Sequence, residues 1–461
     1  MSGTEDHGDT IVARATPAGT GGIGIVRVSG PFAPRIATSM LGRLPLPRVA
    51  SFSDFRDLDG ELLDQGIALY FPSPASFTGE DVLELHGHGG PVVVAGLVDA
   101  AVALGARMAL PGEFSRRAFA NGKLDLAQVE AIADLVSSGS TQAARAAMRS
   151  LSGAFSNAVE QLQERLTHLR MHVEAAIDFP EEEIDFLADD ALLARVEDCA
   201  AAFRRLRDHA GVGRVLRDGY RVVIVGPPNA GKSSLMNRLS GHESSIVTEL
   251  AGTTRDIVRE QINIDGLAVE LSDTAGLRDD PGVIEAEGIR RARAAMRQAD
   301  AVLWIQDAST APPAGPATAA GLMAGDDLPE PLPDNIPVVI VRNKVDVSGD
   351  APGLLRRAPT VVAISAVTGA GIDALRAELR DLAGYRDLGE GVFTARRRHV
   401  DALDRAMAHF NTGRRHLGGR AAGELFAEEL SLAQLALSEI TGAFSSDELL
   451  GRIFAEFCIG K

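Results

Sequence analysis

The stretch from Gly226 to Ser234, GPPNAGKSS, constrains the fold more than any other part of this 461-residue chain. It follows an apolar run, RVVIVG, and opens an amphipathic segment, SSLMNRL. Gly226, Gly231, Lys232 and Ser233 have the spacing G-x-x-x-x-G-K-S/T of a phosphate-binding loop. In such a loop the backbone N–H groups surround a β-phosphate, the lysine offsets its charge, and the serine hydroxyl can bind Mg²⁺. The stretch therefore predicts a strand, a phosphate loop and a helix within a nucleotide-binding α/β sheet.

Three further motifs end later apolar runs of the same region. Ligands of open α/β sheets bind at the carboxyl ends of the strands, so these motifs are predicted to face the same nucleotide. Asp346 can accept two hydrogen bonds from N1 and N2 of guanine, a donor pair that adenine lacks, which predicts GTP. The predicted contacts are Asp273, Thr274, Ala275 and Gly276 of SDTAG, Asn343, Lys344, Val345 and Asp346 of NKVD, and Ser365, Ala366 and Val367 of SAV. The motif set resembles that of the translation-factor-like branch of GTPases.

The residue that would orient the attacking water differs from that of Ras-like enzymes. Those enzymes place a glutamine directly after the glycine of the DTAG motif, whereas this chain has Leu277. Asn229 in the phosphate loop and the segment Thr248–Asp256, TELAGTTRD, offer oxygen ligands beside the β- and γ-phosphates. These ligands are enough to hold a monovalent cation where an arginine finger would otherwise stabilise charge. The chemistry leaves open the alternative that Asn229 only caps a turn.

Composition is typical of a globular protein from a reducing compartment. A chain of 461 residues exceeds what one hydrophobic core supports and predicts about three domains. Its two cysteines, Cys199 and Cys458, cannot build a disulfide framework or a four-thiolate zinc site. The first residues are acidic and polar, unlike a signal peptide, and the apolar stretch from Pro91 is interrupted by Asp99 and Arg107. We therefore expect a cytoplasmic protein without a membrane-spanning segment.

The charge balance restricts how the chain can meet nucleic acid. A formal net charge of −17 opposes broad, non-specific binding, because phosphates would meet a repulsive average field. An RNA contact is therefore expected to be local or shared with a partner. The densest basic run near a domain junction, Arg396–His399, is either a solvated helix start or a tRNA contact.

The sequence pattern changes along the chain and predicts four segments. Residues 1–120 mix short apolar runs with glycine and proline, which is typical of an α+β domain. Residues 121–218 and 386–461 have apolar residues at three- and four-residue spacing, which predicts helices. Between them, residues 219–385 alternate strand-like and helical runs, the pattern of a doubly wound parallel sheet, with an exposed loop over Ser309–Asn335. The α/β unit is therefore predicted to be inserted into a discontinuous helical domain.

Several stretches together resemble the MnmE/TrmE family, the GTPases of tRNA wobble-uridine modification. They are NAGKSS, AGTTRD, DTAGLR and the closing CIGK, with DTIVARATPAGTGGIGIVRVSG, FTGEDVLELHGHGG, PGEFSRRAFANGKLDLAQVEAIADL and VEAAIDFPEEEIDF, so the likeness covers nearly the whole chain. The resemblance implies an N-terminal folate-binding and dimerisation domain, a discontinuous helical domain and an inserted Ras-like P-loop G domain. It also implies a homodimer that forms a heterotetramer with a flavin-containing, MnmG/GidA-like partner carrying FAD.

The resemblance implies a reaction and its cofactors. An aminomethyl- or carboxymethylaminomethyl-type group is built on C5 of the tRNA wobble uridine. The carbon comes from 5,10-methylenetetrahydrofolate, of which 5-formyltetrahydrofolate is an analogue. GTP, Mg²⁺ and K⁺ serve the G domain, and K⁺-dependent dimerisation of G domains replaces an external activating protein. The alternative is a different class of protein, a GTPase regulator or assembly factor for ribosome or cell-division machinery, in which the flanking domains are only interaction modules.

The resemblance also assigns residues of the G domain. It places Mg²⁺ on Ser233 and Thr254, and K⁺ on Asn229, Thr248, Leu250 and Thr253. The GTP contacts it implies are Asn229, Ala230, Gly231, Lys232, Ser233 and Ser234, followed by Thr248, Glu249, Leu250, Ala251, Gly252, Thr253 and Thr254. The catalytic glutamate of the family, in the pattern E-x-x-G-[IV], corresponds to Glu285 rather than Glu287. Pro281 and Gly282 in the same loop depart from the commoner wording of the family.

The folate contacts of the family correspond to Arg27, Glu84, Lys123 and Lys461, and its catalytic thiol to Cys458. A carboxylate can accept from the amino-pyrimidine edge of a pterin, and cations suit the glutamate tail of folate. The residues alone favour a different interpretation of Arg27 and Glu84, an ion pair on a strand face. The segment SSDELLGRIFAEF begins with the spacing of a capping box, so a last helix is predicted to dock and to position the CIGK tail.

Overall fold

The computed structural model describes residues 8–178, 190–240, 259–264, 267–273, 299–310, 336–384, 392–417, 422–443, 447–455, 457 and 460. The chain forms two compact units. The first consists of Met1–Ala133 with Gln434–Lys461, and the second of Asp134–Ala433. The domain limits expected at residues 120, 218 and 385 stay predictions.

The first unit contains a six-stranded sheet in the order β3-β4-β5-β2-β1-β6. Its pairs are antiparallel apart from β1 with β6, which is parallel. The predicted α+β class is confirmed for this region. The strands are β1 (Ile11–Arg14), β2 (Gly21–Ser29), β3 (Ser51–Arg56), β4 (Leu62–Phe71), β5 (Val82–Gly89) and β6 (Arg107–Met108). The helices are α1 (Ala33–Leu41), α2 (Pro91–Ala103) and α3 (Glu113–Ala120).

The two faces of this sheet differ because side chains alternate along each strand. In β2, Val26 and Val28 are fully buried, while Arg27 between them is partly exposed. In β5, Leu83 and Leu85 are buried in the same core, while Glu84 between them is partly exposed. Residues of α1 and α2 complete this core. The polar residues are therefore held on the sheet face away from the two helices.

The end of the chain folds into the first unit. Helix α13 (Asp447–Ala455) contributes Ile453 and Phe454 to an apolar cluster with Phe457 and with two residues of α4 (Leu126–Ser137), Leu126 and Val129. The predicted last helix is thus present, and burial of its apolar face holds it.

Helices from both ends of the second unit pack together. They are α5 (Thr141–Leu151), α6 (Ala154–Asp178), α7 (Asp190–Asp218), α11 (Arg397–His416) and residues 422–433 of α12 (Ala422–Thr441). Phe203 of α7 and Phe410 of α11 have ring centroids 5.2 Å apart, and Arg207 donates to Asp404 at 3.1 Å. Because α7 precedes the second sheet and α11 follows it, the predicted discontinuous helical domain is confirmed.

The inserted sheet has seven strands in the order β12-β13-β11-β10-β7-β9-β8. The predicted doubly wound parallel sheet is confirmed, and antiparallel β8 and β12 lie at its two edges. The strands are β7 (Tyr220–Val225), β8 (Arg259–Ile264), β9 (Leu267–Asp273), β10 (Ala301–Asp307), β11 (Val338–Asn343), β12 (Gly353–Arg357) and β13 (Thr360–Ala363). The helices are α8 (Lys232–Ser240), α9 (Val345–Ser348) and α10 (Ile372–Leu382). Most of the loop predicted over Ser309–Asn335 lies outside the described residues.

The segment that leaves the sheet returns along the helices of its own unit. The backbone N–H of Thr394 donates to the carbonyl of Ala146 at 3.3 Å, and Ser150 Oγ donates to the carbonyl of Thr394 at 3.0 Å. A Cβ built on Gly213 of α7 would lie 2.2 Å from the carbonyl oxygen of Phe393. Gly213 thus permits the helix and this segment to approach backbone to backbone.

We expect Gly213→Ala to lower the free energy of unfolding by about 1–3 kcal/mol, because the added methyl group overpacks a contact with backbone. The matched control is Gly211→Ala on the same helix, where the nearest heavy atom to a Cβ is Arg207 Nη1 at 4.0 Å. This control should gain about 0.5–1 kcal/mol from helix propensity. Denaturant unfolding measures both, and equal midpoints for the two variants would contradict the close approach.

Candidate functional site

The phosphate loop is folded tightly around its glycines. Gly226 has φ +151°, and a Cβ on it would lie 2.3 Å from the carbonyl oxygen of Ile305. Gly231 has φ +96°, and a Cβ there would lie 2.2 Å from Asn343 Nδ2. Neither position admits a side chain. Asn229 adopts φ +62°, a left-handed conformation that asparagine tolerates better than most residues.

The lysine of the loop lies against the loop backbone. Lys232 is buried, and its Nζ donates to the carbonyls of Gly226 and Pro227, both at 2.9 Å. The ammonium group is therefore held within the turn at the start of α8. A glycine-lined turn, a helix N-terminus and a fixed cation are the donor set that suits a phosphate group.

Asn343 connects two loops at the carboxyl edge of the sheet. Its Nδ2 donates to the carbonyl of Ala230 in the phosphate loop at 2.8 Å. Its Oδ1 accepts from the backbone N–H of Ala366 in the SAV motif at 3.0 Å. The Asn343 side chain is buried, so both hydrogen bonds are shielded from water. The structure thus brings together the phosphate loop, NKVD and SAV, as the sequence predicts for motifs at the carboxyl ends of parallel strands.

The neighbouring residues of NKVD are oriented by a strained turn. Lys344 has φ +69°, and its Nζ donates to Asp307 Oδ2 at 2.6 Å. The hydrogen bonds from Lys344 and Ser309 hold the pKa of Asp307 at about 2, so this carboxylate stays ionised. Asp346 lies in the first turn of α9 and is exposed. Asp307 was not predicted as a site residue, although its place at the end of an apolar strand was a usable signal.

Other predicted G-domain residues lie partly or wholly beyond the described residues. Asp273 ends β9, and its backbone is in register with Ile224 of β7. Ser233 and Ser234 are exposed at the start of α8. The predicted residues outside the described part of the chain are Thr248, Glu249, Leu250, Ala251, Gly252, Thr253, Thr254, Thr274, Ala275, Gly276 and Glu285.

A second polar site lies on the sheet of the first unit. Arg27 and Glu84 are directly opposite each other in the β2–β5 register, and Arg27 Nε donates to Glu84 Oε1 at 2.8 Å. His86 Nε2 lies 3.0 Å from Glu84 Oε2. Burial alone would raise the pKa of Glu84, but the charge of Arg27 and the hydrogen bonds from His86 and Arg27 outweigh it and lower the pKa. Glu84 is therefore an ionised, half-buried acceptor.

Aromatic rings flank the guanidinium of this pair. Arg27 Cζ lies 5.6 Å from the ring centroid of Phe77 and 5.7 Å from that of Phe114. Phe77 belongs to the loop between β4 and β5, and Lys123 Nζ donates to the carbonyl of Pro74 in that loop at 3.0 Å. The loop between β4 and β5 therefore contacts Arg27 through Phe77 and Lys123 through Pro74, and Arg27 is paired with Glu84.

Gly460, within the CIGK tail, approaches the same sheet. A Cβ built on Gly460 would lie 2.0 Å from the carbonyl oxygen of Arg14, and Gly460 has φ +99°. Arg14 is the last residue of β1, and β1 pairs with β2, which carries Arg27. Cys458 and Lys461 lie outside the described residues. Gly460 therefore lies beside the end of β1, the strand that pairs with β2.

Two residues of the basic run Arg396–His399 are buried within the protein. Arg396 is buried, and its Nη2 donates to Asp134 Oδ1 at 2.8 Å. His399 is also buried, and its ring centroid lies 5.0 Å from that of Phe155, with the two rings tilted by 54°. For these two residues both interpretations of the run, a solvated helix start and a tRNA contact, are wrong, because both side chains are buried and Arg396 is paired with Asp134. Arg397 is exposed.

A phosphate loop after the first strand of a parallel sheet, joined by a buried asparagine to an NKxD-type guanine motif, defines a P-loop GTPase. The chain also matches the family models described as "MnmE helical domain", over residues 126–458, and "GTP-binding protein TrmE N-terminus", over residues 10–123.

Full-length relatives agree with these models. The tRNA modification GTPase MnmE of Alkalilimnicola ehrlichii is 56% identical over 453 residues, covering 98% of this chain and 99% of the relative. The protein of the same name from Yersinia pestis bv. Antiqua is 54% identical over 455 residues, with 98% and 99% coverage. The chain therefore belongs to the MnmE family of tRNA modification GTPases, and it is a GTP hydrolase.

Among solved structures, a GTP-binding protein of Sulfolobus solfataricus in complex with GDP matches at 18% identity and a TM-score of 0.27, over 49% of this chain and 67% of that chain. In the part of the chain that the structure describes, no helix is long and apolar enough to cross a membrane.

We expect Asn343→Ala to loosen both loops of the nucleotide site, because it leaves the Ala230 carbonyl and the Ala366 N–H without their partner. Each unpaired buried group costs about 1–3 kcal/mol, so the dissociation constant of GDP should rise at least about tenfold. Fluorescence titration with a labelled GDP measures it. Val347→Ala, at an exposed residue of α9, is the control that should bind GDP normally, and normal GDP binding by Asn343→Ala would refute the bridge.

Proposed function

We propose that this GTPase acts with a flavin-containing, MnmG/GidA-like partner subunit on tRNA. It installs an aminomethyl- or carboxymethylaminomethyl-type group on C5 of the wobble uridine, with the carbon supplied by 5,10-methylenetetrahydrofolate. The observation that carries the proposal is the presence of two sites on one chain, a phosphate loop and a polar pair flanked by aromatic rings on the N-terminal sheet. The relatives' printed name, tRNA modification GTPase, agrees with it.

The N-terminal polar site suits a folate. Ionised Glu84 can accept from the amino-pyrimidine edge of a pterin, and Phe77 and Phe114 offer ring surface beside it. Arg27, Lys123 and Lys461 supply the positive charge that a glutamate tail requires. We assign the folate-binding and dimerisation domain to residues 1–120 and infer a homodimer that assembles with its FAD-carrying partner into a heterotetramer.

The G domain, residues 219–385 in this proposal, holds GTP with two cations. Ser233 and Thr254 hold Mg²⁺, and Asn229, Thr248, Leu250 and Thr253 hold K⁺, some through backbone carbonyls. Asn229 is exposed at the turn of the phosphate loop, which supports its use as a ligand rather than as a buried cap. The helical domain is assigned to residues 121–218 and 386–461.

Two side chains are assigned chemistry. Glu285 acts on the water that attacks GTP, and full turnover of Glu285→Ala with reduced turnover of Glu287→Ala would refute this assignment. Cys458 acts in uridine modification. The other cysteine, Cys199, is buried, and burial raises its pKa to about 11, so it is an unreactive core thiol. The free thiol of Cys199 agrees with a cytoplasmic location.

Hydrolysis should depend on K⁺, because Leu277 takes the place of the water-orienting glutamine and Asn229 can ligate a monovalent cation. Replacing K⁺ by Na⁺ at constant ionic strength should slow GTP turnover at least about tenfold, which corresponds to about 1.4 kcal/mol of barrier. Phosphate release at saturating GTP measures the rates. Equal rates in the two salts would exclude a K⁺ site.

Deleting Cys458–Lys461 should abolish uridine modification and leave GTP hydrolysis largely intact, because the tail lies in the first unit and the phosphate loop in the second. Mass spectrometry of wobble uridines, from cells lacking the native chain and supplied with the variant, measures modification. Cys458→Ser should impair modification with little change in melting temperature. Normal modification by the truncated chain would refute a role for the tail.

The same experiment separates the proposal from its alternative. Cells lacking the chain should lose the modified wobble uridine and regain it when they are supplied with the full-length chain. Unchanged wobble uridines in cells lacking the chain would instead favour a GTPase that regulates or assembles ribosome or division machinery. Equilibrium dialysis with 5-formyltetrahydrofolate tests the folate site directly, and Glu84→Gln is the variant expected to lose binding.

A further inference from the structure

The helix that begins with the phosphate-loop lysine also reaches the opposite side of the nucleotide site. Arg238 lies in the last turn of α8. Its Nε donates to the carbonyl of Ala366 at 2.9 Å, and its Nη2 donates to the carbonyl of Val367. One guanidinium therefore holds two consecutive carbonyls of the SAV motif.

Together, Asn343 and Arg238 hold both backbone polar groups of Ala366. Its N–H is held by Asn343 and its carbonyl by Arg238, so the peptide groups on both sides of this residue have fixed orientations. The following side chain, Val367, is 70% exposed and packs little against the core. Packing therefore contributes little to the conformation of the loop at Val367, and the planar guanidinium with its fixed fork of donors supplies the constraint.

We propose that Arg238 is a positioning residue for base recognition. It holds residues 365–367 in the conformation in which a backbone N–H of this loop donates to the 6-oxo group of guanine. This inference rests on the proposed guanine site formed by NKVD and SAV. Arg238 acts through the two carbonyls that it holds.

The physical basis is pre-organisation. A loop that is already ordered loses less conformational entropy when the base binds, and its N–H groups point where the acceptor will lie. Without Arg238, the carbonyls of Ala366 and Val367 turn to water, and guanine must order the loop itself. Because α8 starts at Lys232, the same helix also keeps the base loop at a fixed distance from the phosphate loop.

The test uses the full-length chain and two nucleotides. GDP dissociation is followed by displacement of a fluorescent GDP analogue. It is compared with dissociation of 2-aminopurine riboside diphosphate, which lacks the 6-oxo group. For Arg238→Ala we expect GDP to dissociate about tenfold faster, while the analogue changes less than about twofold. Arg238→Lys, which retains one donor group for these carbonyls, should lie between the wild type and Arg238→Ala.

Two further variants make the result decisive. Asn237→Ala, at the exposed neighbouring residue of α8, should bind both nucleotides as the wild type does. Asp346→Ala tests the guanine site itself. If Asp346→Ala weakens GDP binding and Arg238→Ala does not, the positioning role is wrong and the guanine site stands. If neither variant changes GDP binding, the proposed guanine site is wrong as well.

General destabilisation gives a different outcome. If Arg238→Ala accelerates dissociation of GDP and of the 2-aminopurine analogue by the same factor, the residue supports the fold of the domain and does not position the base loop. That outcome would overturn the inference.

Discussion

The parallel register of the inserted sheet is the constraint on which the nucleotide site depends. In-register pairing of β7, β10, β11 and β13 brings the ends of these strands to one edge, where their loops meet. Asn343 then fixes the loops to one another by buried hydrogen bonds. A buried amide with both of its hydrogen-bonding groups paired is costly to displace, so it specifies a single arrangement of the site.

The base of the same sheet is connected to the helical part of its unit. Arg214 of α7 donates to Asp300 Oδ1 at 2.7 Å, and the backbone N–H of Arg221 donates to Asp300 Oδ2 at 3.0 Å. One carboxylate thus joins α7, the first strand and the turn before β10. Helix α7 is therefore bonded directly to the nucleotide-binding sheet. Through Gly213 it also packs against the segment that follows the sheet.

The N-terminal site depends on a different principle, the alternation of side chains in an antiparallel sheet. One face of β2 and β5 is sealed by helices, and the ion pair of Arg27 and Glu84 lies on the other. Beside this site, Glu113 accepts hydrogen bonds from Arg107, Leu110 and Arg117. Burial alone would raise the pKa of Glu113, but these hydrogen bonds hold it at about 2. This region of the first unit therefore has a charged support as well as an apolar one.

The sequence by itself determined the elements whose signals are local. Motif spacing predicted the phosphate loop, and apolar runs predicted the central parallel strands together with the helices on either side of them. The edge strands β8 and β12 were missed, because their pairing is visible only when a neighbouring strand is in place. The sequence left two interpretations of Arg27 and Glu84 open, an ion pair and a folate site. These residues are 57 positions apart, and only the strand register brings them opposite each other.

Only the tertiary structure showed that Arg396 is buried against Asp134, that Asp307 pairs with Lys344, and that Arg238 reaches the SAV loop. Each of these is a contact between residues far apart in the chain, and such contacts depend on how the elements pack.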